Sequence, residues 1–245
     1  MSLTAEKIRS AEELQALVAE GNAEFEAIAA SGKEATAEQV IAWVAKNFSA
    51  DAIAVACSMA DAVLPHIVST QIENFDVLFL ETGYHFAETH ATRNEVARAL
   101  PIRVVDVLPK QTVAEQDAQY GEKLWSRDPN LCCALRKVNP LQDSLKNYEL
   151  WFTGVRREEA PTRANTPLLT WDEKNGLIKV NPVAAWTFDE LIDYATEHKV
   201  PVNLLLSNGY PSIGCEPCTK PVAEGEDPRS GRWAGANKTE CGLHI

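Results

Sequence analysis

No apolar run in this 245-residue chain reaches the roughly 20 residues that a membrane-spanning helix requires. The opening residues, MSLTAEKIRSAEELQ, contain no apolar h-region, so no secretory signal is expected and the chain reads as cytoplasmic. Basic charge is scarce: 23 Lys and Arg stand against 35 Asp and Glu, a net charge of −12. A general nucleic-acid binder needs a basic face, and this acidic balance argues against one. It does not exclude a small anionic ligand. Screening confines each charge to about 10 Å, so a few arginines suffice locally. The sequence has neither GxGxxG nor GKS or GKT, which removes the dinucleotide motif and the Walker loop. Internal repeats and low-complexity tracts are missing as well. The six cysteines do not suggest a disulfide framework in a cytosolic chain of this length, which leaves metal ligation or thiol chemistry.

What is present begins with helices. AEELQALVAEGNAEFEAIAA and TAEQVIAWVAKNF carry apolar residues at three- and four-residue spacing, and residues 1–48 read as a helical extension for packing or for forming a homo-oligomer. Four short apolar runs follow: DAIAVACS (51–58), FDVLFLET (75–82), IRVVDV (102–107) and ELWFTGV (149–155). The first is typical of a strand buried on both faces, the second reads as another buried strand, and the other two as the third and fourth strands; helical stretches lie between them, one running from about Leu131 to Leu145. Pro65 must kink its helix or lie in the first turn. The alternation predicts an α/β fold: an open, mostly parallel twisted sheet with helices on both faces. TFDELIDYATEHK (187–199) adds an amphipathic helix with Thr187 as cap and Glu190 at its third position. The α/β domain is expected over 49–218, and 219–245, without periodicity, as a mobile tail.

Ligands of such sheets bind beyond the carboxyl ends of the strands. Ser58 to Asp61 would form the turn after the first strand, either as an ordinary helix cap or with N–H groups aimed at an anion. Thr82 and Gly83 stand where the second strand must turn sharply, and the fourth brings Arg156, Arg157 and Arg163 to the same edge. Arginines there can make forked bonds to phosphate or sulfate.

The cysteines divide into groups. LCCALRK supplies Cys132 and Cys133, and GCEPCTK supplies Cys215 and Cys218. Adjacent thiols diverge and chelate one zinc ion poorly, but they reach two irons of a cubane, so a [4Fe–4S] cluster is favoured over structural zinc. Lys137, four residues after Cys133, is either a surface lysine or lies between the cluster and a bound anion. Cys57 reads as a small buried hydrophobe. Cys241, in TECGLHI, is either incidental or a nucleophile whose thiolate Arg229, Arg232, Lys238 and His244 would stabilise.

The pieces CSMADAV, LETGYHF, LCCALRK, TGVRREEAPTR, GCEPCTKPV, RSGRW and ECGLHI together resemble the assimilatory sulfonucleotide reductases, over roughly residues 50–245. The paired cysteines resemble the cluster-bearing branch, which uses adenosine 5′-phosphosulfate (APS). The resemblance implies an adenine nucleotide alpha hydrolase-like fold of the PP-loop type. It also implies one [4Fe–4S] cluster per subunit on Cys132, Cys133, Cys215 and Cys218, and thioredoxin as the reductant. Ser58, Thr82, Gly83 and Gly154 would hold the nucleotide, and Arg156, Arg163, Arg229 and Arg232 the phosphosulfate, with Lys137 between cluster and substrate. Cys241 would be the nucleophile, forming an S-sulfo intermediate. The alternatives are a reductase of the 3′-phosphorylated nucleotide (PAPS), an enzyme of dual specificity, and an ATP pyrophosphatase acting on tRNA, against which the acidic charge counts.

Overall fold

The computed structural model describes residues 9–233, 238, 240, 242 and 243. Cys241 and His244 lie outside the described residues. In chain order the elements are α1 (Ala11–Ala29), α2 (Ala37–Asn47), β1 (Ile53–Ala56), α3 (Val63–Ser69), β2 (Asp76–Leu80), α4 (Ala87–Ala99), β3 (Arg103–Val107), α5 (Val113–Tyr120), α6 (Leu124–Arg127), α7 (Pro129–Cys133), α8 (Asn139–Leu145), β4 (Leu150–Thr153), β5 (Leu169–Asp172), β6 (Leu177–Val180) and α9 (Phe188–Glu197). One π turn, Ala134–Val138, joins α7 to α8, so the expected helix from 131 to 145 is continuous but not uniform.

The strands form one sheet in the order β3-β2-β1-β4-β6-β5, parallel except for the β5–β6 pair. Side chains alternate along the strands, and β1, β2 and β4 bury both faces, which explains why those runs are apolar; β3, at the sheet edge, carries Arg103 and Asp106 and is largely exposed. Ile53, Val55, Val77, Phe79, Leu150 and Phe152 bury against the face covered by α1, α2, α3 and α9. Ala54, Leu78 and Trp151 bury on the other face with Leu141 and Leu145 of α8. Pro65 lies in the first turn of α3, where its missing N–H leaves no bond unmade. Thr187 and Glu190 form the expected reciprocal cap of α9.

The strands β5 and β6 were not expected. Each is four residues long, and the turn between them closes at Gly176, with φ +66°. Runs that short carry too little alternation to stand out. The helical extension proves continuous with the core: α1 lies on β5 and β6, and Leu14, Val18 and Phe25 belong to the same buried cluster as the central strands. In the stretch 219–233, read as the start of a mobile tail, the two ends are packed on the domain, while 223–228 are exposed. Thr219 pairs with Arg232 as an antiparallel bridge, and Trp233 is buried. Among the described residues, no helix is long and apolar enough to cross a membrane.

From β1 the chain moves out to β2 and β3 on one side, and later adds β4 and β6 on the other. The carboxyl ends of β1 and β4 therefore border the switch point, where open α/β sheets bind ligands.

Candidate active site

A cavity of about 540 Å³ occupies that switch point. Ser58 lines it after β1, and Gly154 and Arg156 after β4. Phe79, Val155 and Leu191 contribute apolar wall, while Lys137, Arg163, Arg229 and Arg232 bring positive charge. A cavity of this volume, apolar with a few convergent charges, suits one nucleotide.

The loop after β1 is held from across the chain. Met59 takes a left-handed conformation (φ +59°) with its side chain fully buried. The buried Asn203 donates through Nδ2 to the Met59 carbonyl at 3.1 Å and to Thr89 Oγ1 at 3.2 Å. Several N–H groups of the loop are already engaged: Met59 N with Cys57 Sγ, Ala62 N with the Pro201 carbonyl, and Val63 N with Asp61 Oδ1 at 3.0 Å. Of the turn Ser58 to Asp61 itself, the Met59 N–H serves the loop in this way. Cys57 packs against the main core cluster, as a small hydrophobe would, and also lines the cavity. Burial, and then the nearby Asp61 carboxylate, push its thiol up to about 12.

The arginines differ in their engagements. Arg156 is nearly buried over the Phe188 ring, and its Nε has no hydrogen-bond partner. Two carboxylates lie near it at longer range, Glu158 Oε1 at 3.6 Å from Nε and Glu159 Oε1 at 3.7 Å from Nη2. Arg232 Nη1 donates to Ser212 Oγ and to the Ile213 carbonyl, and its guanidinium covers the Trp233 ring at 4.6 Å. Arg163 gives Nε and Nη2 to the two oxygens of Glu240 at 2.9 and 2.8 Å, and Nη1 to Glu159 at 2.5 Å. Arg229 Nη2 also reaches Glu240, at 3.2 Å. Arg157 is turned away, paired with Glu34 at 2.7 Å and bonded to the Thr166 carbonyl.

A second, small pocket lies beside the first. Cys132 and Cys133 on α7 and Cys215 and Cys218 around the turn Glu216–Cys218 all line it. Asp128 caps α7 by accepting the Leu131 N–H at 2.9 Å, and Glu216 N–H donates to the Tyr84 carbonyl at 2.7 Å. Burial, followed by the neighbouring Cys133, Cys215 and Cys218, pushes the Cys132 thiol up to about 12. Cys218 rises to about 11 through burial and Cys215, against the pull of Lys137 and Arg232. Among the described residues, no group of His, Cys, Asp or Glu converges on a single-ion position.

Thr82 and Gly83 fall on this side and do not line the larger cavity. The Cys215 thiol donates to Thr82 Oγ1 at 3.4 Å, and the sharp turn at Gly83 (φ +73°) abuts Arg136. Lys137 and Trp233 line both pockets and form their common wall. Sequence reasoning missed Arg136, Asn203, Trp233 and Glu240. Arg136, Trp233 and Glu240 lay in segments it had singled out, but no residue type among them signals its role.

Comparison with known proteins bears on this geometry. Residues 52–221 match the family model described as the phosphoadenosine phosphosulfate reductase domain. A protein of Streptomyces coelicolor named adenosine 5′-phosphosulfate reductase is 51% identical over 96% of this chain and 97% of its own. One of the same name from Mycolicibacterium smegmatis is 50% identical over 95% of each. The crystal structure of phosphoadenylyl-sulfate (PAPS) reductase from Candida auris, a phosphate complex, superposes with a TM-score of 0.64. It is 27% identical and covers 77% of this chain and 91% of that one. An FMN adenylyltransferase of Candida glabrata shares the fold alone, with a TM-score of 0.58, 10% identity and coverage of 92% and 73%.

Proposed function

The chain belongs to the phosphoadenosine phosphosulfate reductase domain family, and on that premise we propose that it reduces adenosine 5′-phosphosulfate to sulfite and AMP, with thioredoxin as reductant. The shared wall of Lys137 and Trp233 carries this assignment, because it sets a nucleotide-sized cavity, lined by five Lys and Arg residues as well as by carboxylates, directly against a pocket of four cysteines. The half-identical relatives bear the name of the same reaction.

Lys137, Arg156, Arg232, Ser58 and Gly154 all line the cavity; in this reading the first three hold the phosphosulfate and the last two lie along the nucleotide. The Cys241 thiolate attacks the sulfate sulfur. A sulfur–sulfur bond forms as the bond from sulfur to the AMP oxygen breaks, and AMP leaves with the electron pair. A thioredoxin thiolate then attacks Sγ of Cys241, sulfite departs, and the dithiol closes to a disulfide. The two electrons come from thiols.

The sulfur-only donor set fits a [4Fe–4S] cluster. Cys132, Cys133, Cys215 and Cys218 repel one another as thiolates, so the pocket favours a cationic iron core that keeps them ionised. Held there, the cluster's iron core would offset the charge of the four thiolates beside Lys137 and would tie α7 to the turn at 216–218. The reaction belongs to the cytoplasm, where dithiol reductants are kept reduced.

Anaerobically purified protein tests the assignment by sulfite release from each nucleotide with thioredoxin, alongside iron and sulfide analysis. We expect APS to be preferred, and Cys241→Ser to abolish release while retaining iron. Strong preference for PAPS, the substrate in the name of the Candida auris relative, would overturn the substrate. Zinc without sulfide would remove the cluster, and substantial release by the serine variant would remove the nucleophile.

A further inference from the structure

Met59 stands in the loop after β1 with a backbone that a residue bearing a side chain rarely adopts, φ +59°. Such a conformation costs free energy and persists only where the surroundings over-determine it. Here the surroundings come from the stretch 201–205. The Ala62 N–H donates to the Pro201 carbonyl at 3.0 Å, Asp61 and Val202 form an antiparallel bridge, and the Asn203 N–H donates to the Ala60 carbonyl at 3.0 Å. The Asn203 side chain completes the clamp. It is fully buried, its Nδ2 donates to the Met59 carbonyl at 3.1 Å and to Thr89 Oγ1 on α4 at 3.2 Å, and its Oδ1 accepts the Leu205 N–H at 3.0 Å. These partners fix the amide's orientation, since the reversed amide would set oxygen against carbonyl and N–H against N–H. Ser58, Ala60 and Asp61, on either side of Met59, line the nucleotide-sized cavity, which Asn203 itself does not.

We infer that Asn203 is a positioning residue for the nucleotide: its amide holds Met59 in the left-handed turn, and that turn sets Ser58, Ala60 and Asp61 against the ligand. The inference rests on the reading of the cavity as an adenine-nucleotide site. Without the amide the free loop relaxes to negative φ, binding must select the minor turned form, and apparent affinity falls by the fraction that is competent. A loop that grips substrate and transition state alike alters the half-saturating concentration and leaves the saturated rate. Glycine at position 59 would take the turn unaided, because it has no Cβ to oppose it.

The test is equilibrium binding of AMP and of APS to the cluster-loaded protein, with sulfite release and the iron and sulfide content of each variant measured alongside. Asn203→Ala is expected to weaken both nucleotides by about tenfold or more, to raise half-saturating APS in step, and to keep the saturated rate within about twofold and the iron and sulfide unchanged. Asn203→Asp keeps the acceptor for the Leu205 N–H but loses the donors, and should weaken AMP to a similar degree. Added to Met59→Gly, the alanine change should weaken AMP by no more than about twofold beyond Met59→Gly alone. Thr89→Val removes the amide's other acceptor, away from the loop, and should lower Tm without changing AMP binding. AMP binding within about twofold of wild type in either Asn203 variant overturns the proposal. So does an equal loss with and without Met59→Gly, which would place the effect elsewhere than the strained turn, or an equal loss in Thr89→Val, which would reduce it to packing. If the wild-type protein binds neither AMP nor APS, the reading of the cavity itself fails, and this role falls with it before any variant is compared.

Discussion

Arg136 joins the two halves of the cysteine pocket. It is 4% exposed, its Nε donates to the Thr82 carbonyl, and its Nη1 reaches the Gln111 carbonyl at 3.3 Å and Gln116 Oε1 at 3.2 Å. Its guanidinium also covers the Tyr84 ring at 5.4 Å. Removing it strands several buried acceptors. Arg136→Met should destabilise the protein by about 2–4 kcal/mol, read as a fall in Tm of roughly 5–12 °C for a chain of this size. A shift within about 2 °C would mean that water satisfies the same acceptors. The sequence made the cysteines and cavity arginines legible because thiol spacing and residue type carry their own chemistry. Arg136 was not legible, although it adjoins Lys137. Its importance lies in Thr82, 54 positions away, and in a helix that sequence periodicity cannot orient toward it.

At the scale of elements, α3 meets α9 through a polar seam. His66 Nδ1 and the Tyr194 hydroxyl lie 2.9 Å apart, and the His66 and His198 rings are 5.5 Å apart. Burial, and then His198, lower the pKa of His66. In the window between that lowered value and the ordinary histidine value of about 6.5, the unfolded chain binds a proton that the folded one refuses. Stability contributed by the neutral ring is present above about 6.5 and is lost as pH falls through the window. Urea unfolding at pH 7.0, 6.2 and 5.5 should give a declining midpoint, and His66→Asn, which can still bond the tyrosine, should flatten the decline. An unchanged slope in that variant would move the effect elsewhere, to His85 among others, whose pKa burial also lowers. Elements with strong local signals were read from sequence: four apolar strands, and the α9 cap at Thr187 and Glu190. The β5–β6 hairpin and the π turn at Ala134–Val138 were not, since each depends on what it packs against.

For the molecule as a whole, α1 belongs to the core by close approach. A Cβ on Gly21 would lie 2.5 Å from Leu169 Cδ2 and 2.8 Å from Trp43 Cζ2. Helix propensity alone favours alanine there by about 1 kcal/mol, but overpacking of this kind typically outweighs it, by about 1–3 kcal/mol. Gly21→Ala should therefore lower Tm while leaving the sulfite-release rate of folded protein unchanged at room temperature. A raised Tm would mean that α1 lifts from β5 without penalty and acts as an appendage. Residue chemistry and local periodicity, which act over a few positions, were enough to determine the α/β class, the four central strands and the two paired groups of thiols. Only the tertiary structure decided that Lys137 and Trp233 share one wall, that Thr82 faces a cysteine, and that Arg163 takes a carboxylate 77 positions away. Those meetings follow from sheet order and the path of the returning chain, which minimise the free energy of the whole packed molecule and leave no trace in any short stretch of it.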